Sequence, residues 1–205
     1  MIHDRPISLQ FPVALVLSVV CLAAPAWADF QAGIDAYDRG DYGIALKEWQ
    51  PLAEQGNPTA QHHLGWLYVL GRGVPQDLDG AVRWFRKAAE QGDSDAQTNL
   101  AGLYLLGEGL PRDYTEAFKW LRAAADQGHP LAQTKLGIMH EGGQGVPQDT
   151  VQAHMWFSLA MAYGSALAGA FRDELAKQMT PAQIAEAHKR VREWKPQTHE
   201  QRPSP

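Results

Sequence analysis

Cysteine is almost absent from this chain: there is one, Cys21, in 205 residues. It lies inside an apolar leading run from Phe11 to Ala24, so the rest of the chain has no thiol for a disulfide or a thiolate metal site. A basic run is missing too. Lys and Arg number 18 against 23 Asp and Glu, a net charge of −5, which makes nucleic acid and anionic membrane poor partners. No apolar stretch approaches the ~20 residues that a spanning helix needs. The leading run is instead the length of a secretory signal, and Ala26-Trp27-Ala28 places small residues where a signal peptidase reads. The reading is a cleaved signal over 1–28, a product beginning at Asp29, and no membrane insertion afterwards. Cys21 is preceded by Val20 rather than a small residue, which argues against lipid attachment, and cleavage would discard it. Asp4 and Arg5 leave together, so the charge of the product stays at −5.

What the chain has in abundance is itself. Three blocks align without a gap, beginning at Asn57 (NPTAQHHLGWLYVLGRGVPQDLDGAVRWFRKAAEQG), Asp93 and His129, each 36 residues long. A partial block, 29–56, precedes them. Each block predicts two antiparallel helices. The first carries Ala60, Leu64, Leu67 and Tyr68 on one face, with Asn57 as cap and Pro58 at the first helical position. The second carries Ala81, Trp84, Phe85 and Ala88. Asp113 with Glu116 and Asp149 with Gln152 have the spacing of capping boxes, and Asp77 with Gly80 keeps half of one. Gly92, Gly128 and Gly164 stand where the second helix stops. Ala60/Ala96/Ala132 and Ala81/Ala117/Ala153 would let backbones approach, and Trp84/Trp120/Trp156 would supply buried area beside them. One pair cannot bury both its faces, so the pairs must stack.

After Gly164 the repeat fades. Ala166 to Lys177 predicts one helix, and Thr180-Pro181-Ala182-Gln183 opens another with Ile184, Ala187, Val191 and Trp194 on one face. The organisation expected is a single all-α solenoid over 29–194, with full repeats at 57–92, 93–128 and 129–164. Capping helices over 165–194 and a disordered tail over 195–205 complete it.

The unit AxxxLGxxYxxGxGVxxDxxxAxxWxxxAAxxG resembles the Sel-1-like repeat, a relative of the tetratricopeptide repeat, and the resemblance spans about four units from Asp29 to Gly164. The ending MTPAQIAEAHKRVREW resembles the closing segment of exported bacterial members. Departures are Ala101-Gly102 for the usual Gly-plus-large pair, His140 for a tyrosine and Gly142 for a leucine, which predicts looser packing late in the third unit's first helix. The resemblance implies a right-handed α-superhelix and an adaptor role, and it implies no shared catalytic residue. By similarity to tetratricopeptide repeats, the stripe through 59, 62, 66 and 69 would line a concave groove. That stripe carries His62, Trp66 and Val69, then Thr98, Gly102 and Leu105, then Thr134 and Ile138. Trp66 stands out as a large aromatic where the following units have Gly102 and Ile138.

Catalytic motifs do not assemble. Gly71-Arg72-Gly73 and its two repeats lack the preceding strand and third glycine of a phosphate loop. His140-Glu141 opens like a zinc-protease motif, but Gln144 stands where the second histidine belongs. Neighbouring His62 and His63 point about 100° apart on a helix and cannot chelate one ion together. Ser94, Ser158, Ser165 and Ser204 sit in no nucleophile motif. The function expected is a non-catalytic adaptor of the cell envelope that binds a protein or peptide segment, with no cofactor and no metal. The alternatives are binding of peptidoglycan or another glycan, and hydrolysis of a β-lactam or cell-wall material. Cysteine-rich relatives suggest the last, but this chain lacks their cysteines.

Overall fold

A computed structural model describes residues 26–197. Ten helices and no strand occur among them. They run α1 (Ala26–Asp38), α2 (Tyr42–Glu54), α3 (Pro58–Leu70), α4 (Leu78–Glu90), α5 (Ser94–Leu106), α6 (Tyr114–Ala125), α7 (Pro130–Gly142), α8 (Thr150–Ala162), α9 (Ala166–Ala176) and α10 (Pro181–Glu193). Each helix from α1 to α8 packs on its successor, so the chain is a helical solenoid. We call α3, α5 and α7 the A helices and α2, α4, α6 and α8 the B helices. The signal expected over 1–28 lies almost wholly outside the described residues, and α1 includes its last three.

The boundaries follow from local chemistry. Asn57, Asp93 and Asp77 each accept a backbone N–H three residues on, at 2.8–2.9 Å. Asp113 and Asp149 each take two such N–H groups, but the reciprocal half of a capping box is not formed there. Among the described residues only Thr180 with Gln183 completes a box. His129 caps α7 through Nδ1, which accepts from the Ala132 N–H. The glycine pair after each A helix has a definite purpose. Gly109 holds φ +70°, and a Cβ there would stand 2.7 Å from the Leu78 carbonyl oxygen at the start of α4. Gly73 and Gly145 meet Tyr42 and Tyr114 in the same way. The loop of each unit therefore presses on the B helix of the unit before it, which no side chain would permit.

The core also rewards comparison between units. In α3 a Cβ on Gly65 would lie 2.5 Å from the Phe85 ring, and in α7 one on Gly137 would lie 2.3 Å from Phe157. The second unit solves the same contact with Ala101 against Leu121, both fully buried. The departure at Ala101 is thus matched by a smaller partner twenty residues on. Trp156 is fully buried as expected, and so is Trp49, but Trp84 and Trp120 are only half-buried. The residues that fill the middle of the stack are instead Phe85, Leu121 and Phe157, one position later. Lys87 and Lys119 place their ammonium groups 4.3 and 5.3 Å from the Trp84 and Trp120 ring centres.

Polar residues are built into this core. Gln61, Gln97 and Gln133 follow the repeating alanine and are buried. Each side-chain amide donates to the carbonyl of Ala53, Ala89 or Ala125 at the end of the preceding B helix, at 2.9–3.1 Å. Gln91 and Gln127 then donate to the oxygens of Gln61 and Gln97, both at 2.8 Å. Tyr163 takes the corresponding place in the third unit, and the Gln133 Oε1 is left without a partner. Looseness was expected late in α7, yet His140 is nine-tenths buried and edge-on to Phe118, and its buried Nδ1 has no partner.

The C-terminal helices do not form one more regular pair. α9 packs on α8 as an A helix would, but α10 packs chiefly along α8 rather than on α9. Trp194 meets Trp156 and Tyr163 edge to face, and Arg190 approaches Asp149 at 3.8 Å. The tail expected to be disordered from 195 begins with attached chain: Gln197 N–H donates to the Asp126 carbonyl at 2.7 Å. Residues 198–205 lie outside the described part.

Candidate functional site

The A helices set the geometry of the candidate surface. Helix periodicity puts every third or fourth residue on one face, and the outward stripe in fact runs through 59, 63, 66 and 70. The expected stripe, through 59, 62, 66 and 69, differs from it by one residue at two of the four positions. The consequence falls on the two threonines. Thr98 and Thr134 are each 3% exposed. Their hydroxyls donate back to the Ser94 and Pro130 carbonyls at 2.7 and 2.8 Å and touch His129 and Ser165 of the next unit. They pin adjacent A helices together and are closed to any partner.

The other expected residues are partly or wholly accessible. Ile138 is 38% exposed. Gly102 is half-open, and a Cβ there would meet nothing within 4 Å. Val69 and Leu105 are half-buried and rest on the core. Trp66 is half-buried, with its ring edge-to-face on Phe85 at 5.9 Å. His62 holds it in place. The His62 Nε2 lies 3.2 Å from the Trp66 indole nitrogen and 2.8 Å from the Asn99 amide nitrogen. Both neighbours can only donate, so Nε2 accepts and the proton sits on Nδ1. Burial pushes the His62 pKa below the usual histidine value, against the pull of Asp93 and Asp95. His63, edge-on to Phe30 and tilted against Trp49, is lowered to about 4, chiefly by burial and then by His62.

Residues outside the expected stripe complete the surface. Leu70 is 45% exposed and Leu106 is 59% exposed, one repeat apart in the last turns of α3 and α5. Leu131, one register position before Lys135 on α7, is half-exposed as well. The 36-residue alignment holds this signal, because 70 and 106 are both leucine while the neighbouring inward position is filled by Leu67 and Leu103. By register, Trp66, Leu70, Leu106 and Ile138 make an apolar border beside Gly102.

Elsewhere the chemistry is sparse. A depression of about 550 Å³ opens beside the α7–α8 loop, lined by His140, Asp149, Gln152 and Gln183 among others. It brings no nucleophile beside a base. Ser158 lies 3.4 Å from the His154 Nδ1, but both are buried, and the hydroxyl donates to the His154 carbonyl. Among the described residues no group of three or more metal-ligating side chains converges. No described helix is long and apolar enough to cross a membrane.

Stacked helix pairs of constant length, each locked to the last by a loop and a glutamine, define a helical-repeat scaffold. The particular repeat is the Sel1 repeat: its family profile matches residues 58–93, 94–129 and 130–162, half of the chain, and the chain belongs to that family. Two solved structures are similar to it. A Sel1 repeat protein from Oxalobacter formigenes is 36% identical over 70% of this chain, with a TM-score of 0.67. A protective antigen of uropathogenic Escherichia coli with an SLR fold is 31% identical over 82% of this chain, with a TM-score of 0.58. The chain spans 59% and 45% of the lengths of those two proteins. No curated protein matches it.

Proposed function

We propose that this protein is a non-catalytic scaffold of the cell envelope that holds a partner protein or peptide segment against its A-helix face. The observation that carries the reading is the apolar border of Trp66, Leu70, Leu106 and Ile138. Leu70, Leu106 and Ile138 face outward and Trp66 stands half-buried beside them on the Phe85 ring, while the molecule's own core is filled by other residues. Exposed apolar groups gathered in one patch are what a protein interface uses, whereas scattered ones need no explanation. Export is supported by the leading segment 1–28, and the helical-repeat scaffold suits binding along a surface rather than chemistry in a cleft. Glycan stacking is less well served. It needs open aromatic faces, and ammonium groups lie over the Trp84 and Trp120 rings.

The test is capture of partner from the producing organism's envelope fraction. Leu106→Asp puts a charge on the exposed border without touching the core. It should abolish stoichiometric capture seen with the unaltered chain while leaving helical circular dichroism unchanged. Equal capture by both would remove the A-helix face from consideration. Mass spectrometry of the natural product should find Asp29 at its N-terminus, and an intact Met1 would end the envelope assignment.

A further inference from the structure

The glycines in the middle of the first helices do not share one reason for being glycine. Gly33, Gly65 and Gly137 are required by packing, because a Cβ at each would collide with Trp49, Phe85 or Phe157 at 2.2–2.5 Å. Gly102 sits in the middle of α5, and a Cβ there would meet open space. A helix-interior glycine loses more backbone entropy than alanine and exposes its backbone to water, so it is a cost without a visible return. Nothing inside the molecule explains it.

The surroundings supply a return from outside. Trp66 on α3 and Ile138 on α7 stand in the register of Gly102, one repeat to either side, and Leu106 follows one turn later. In register, the bare turn is therefore flanked by apolar side chains on both neighbouring A helices. Beside it, Lys135 lies one turn before Ile138 on the outward stripe of α7, half-buried between Leu131 and Ile138. Among the described residues no acidic oxygen lies within 4 Å of its ammonium group. Asp95, the acid on the same stripe, is already held by His129 at 2.9 Å. A half-buried cation in an apolar border is complementary to one carboxylate that arrives with apolar company. The net charge of −5 disfavours a broadly acidic partner, so the complement is one acid in an otherwise neutral segment.

We infer that Gly102 is the floor of a notch for a large apolar side chain of a partner peptide segment. A carboxylate of the same segment meets Lys135. The inference rests on the scaffold reading above and names the chemistry of its partner. The probe is an array of synthetic peptides of about 15 residues in an Ala/Gln background, with a central Leu and with Glu, Gln or Lys at each nearby position in turn. The full chain should select Leu together with Glu at a definite spacing, and Lys in place of that Glu should weaken binding about tenfold. Lys135→Glu should reverse that order. Gly102→Leu should weaken the selected peptide about tenfold. The same variant should raise the thermal midpoint by about 2–4 °C, because a strong helix former replaces glycine.

Three results would overturn the inference: no peptide binding above the background sequence, an order of preference unchanged by Lys135→Glu, or a midpoint lowered by Gly102→Leu. The two readings also separate. If Leu106→Asp abolishes capture of the natural partner but Gly102→Leu leaves it intact, the notch fails and the scaffold reading stands. If neither variant affects capture, both fail.

Discussion

Trp120 and Trp156 occupy the same register one repeat apart, yet Trp156 is fully buried and Trp120 is half-buried. The sequence around each does not account for the difference. Arg122 stands over the Trp156 ring at 5.1 Å, and Trp194 closes it from α10. Trp120 has Lys119 from its own helix and no returning helix. In a solenoid each unit is finished by what comes next, so identical positions acquire different burial at the end of the array. The glutamine ladder shows the reverse effect. It is complete in the first two full units and stops at Gln133, because Tyr163 replaces the donor.

The strongest way to break this comparison is to truncate both tryptophans. Trp156→Ala should cost about 3–5 kcal/mol through lost burial and a cavity, and Trp120→Ala about 1–2 kcal/mol. Urea unfolding that ranks them the other way would mean that α10 does not close the stack. Next in size is the contact between glycine and ring. Gly137→Ala forces a methyl group into Phe157 and should cost about 1–3 kcal/mol. Adding Phe157→Leu should recover part of that loss, since Ala101 with Leu121 already makes the same joint in the second unit. A double-mutant cycle with no coupling would refute the pairing.

Asp113→Ala removes a cap that takes two backbone N–H groups and should cost about 1 kcal/mol. A loss as large as that of Trp156→Ala would mean that the cap anchors more than its own helix.

The smallest effect concerns pH. His63 is lowered to about 4 in the folded chain, so the unfolded chain binds the extra proton between about 4 and the ordinary 6.5. Stability from this source is complete above pH 6.5 and is lost as pH falls towards 4. His62, His140 and His154, all lowered chiefly by burial, act with the same sign. The urea midpoint should therefore fall between pH 7 and pH 5, before most carboxylates titrate, and His63→Gln should flatten part of that slope. A level midpoint across this window would contradict the burial of these rings.

Much of this molecule can be read from one strand of text, because its order is periodic. The 36-residue spacing, the caps at Asn57 and Asp93, the stop glycines and the helix pairs all depend on neighbours within a few residues, and the sequence by itself determined them. The glutamines recur with the same period, but a buried amide is legible only when its carbonyl partner in the preceding unit is known. The outward stripe was displaced by one residue at two of its four positions, which was enough to turn Thr98 and Thr134 inward. A 100° step per residue leaves two neighbouring stripes almost equally apolar, and only the contact with the adjacent A helix chooses between them. Tertiary structure alone decided three other matters: that α10 would return along α8, that Phe85 rather than Trp84 would fill the centre, and that Gly102 would face empty space. Each is a matter of what stands opposite a residue, and in a stack that neighbour comes from another unit, some twenty to forty residues away in the chain.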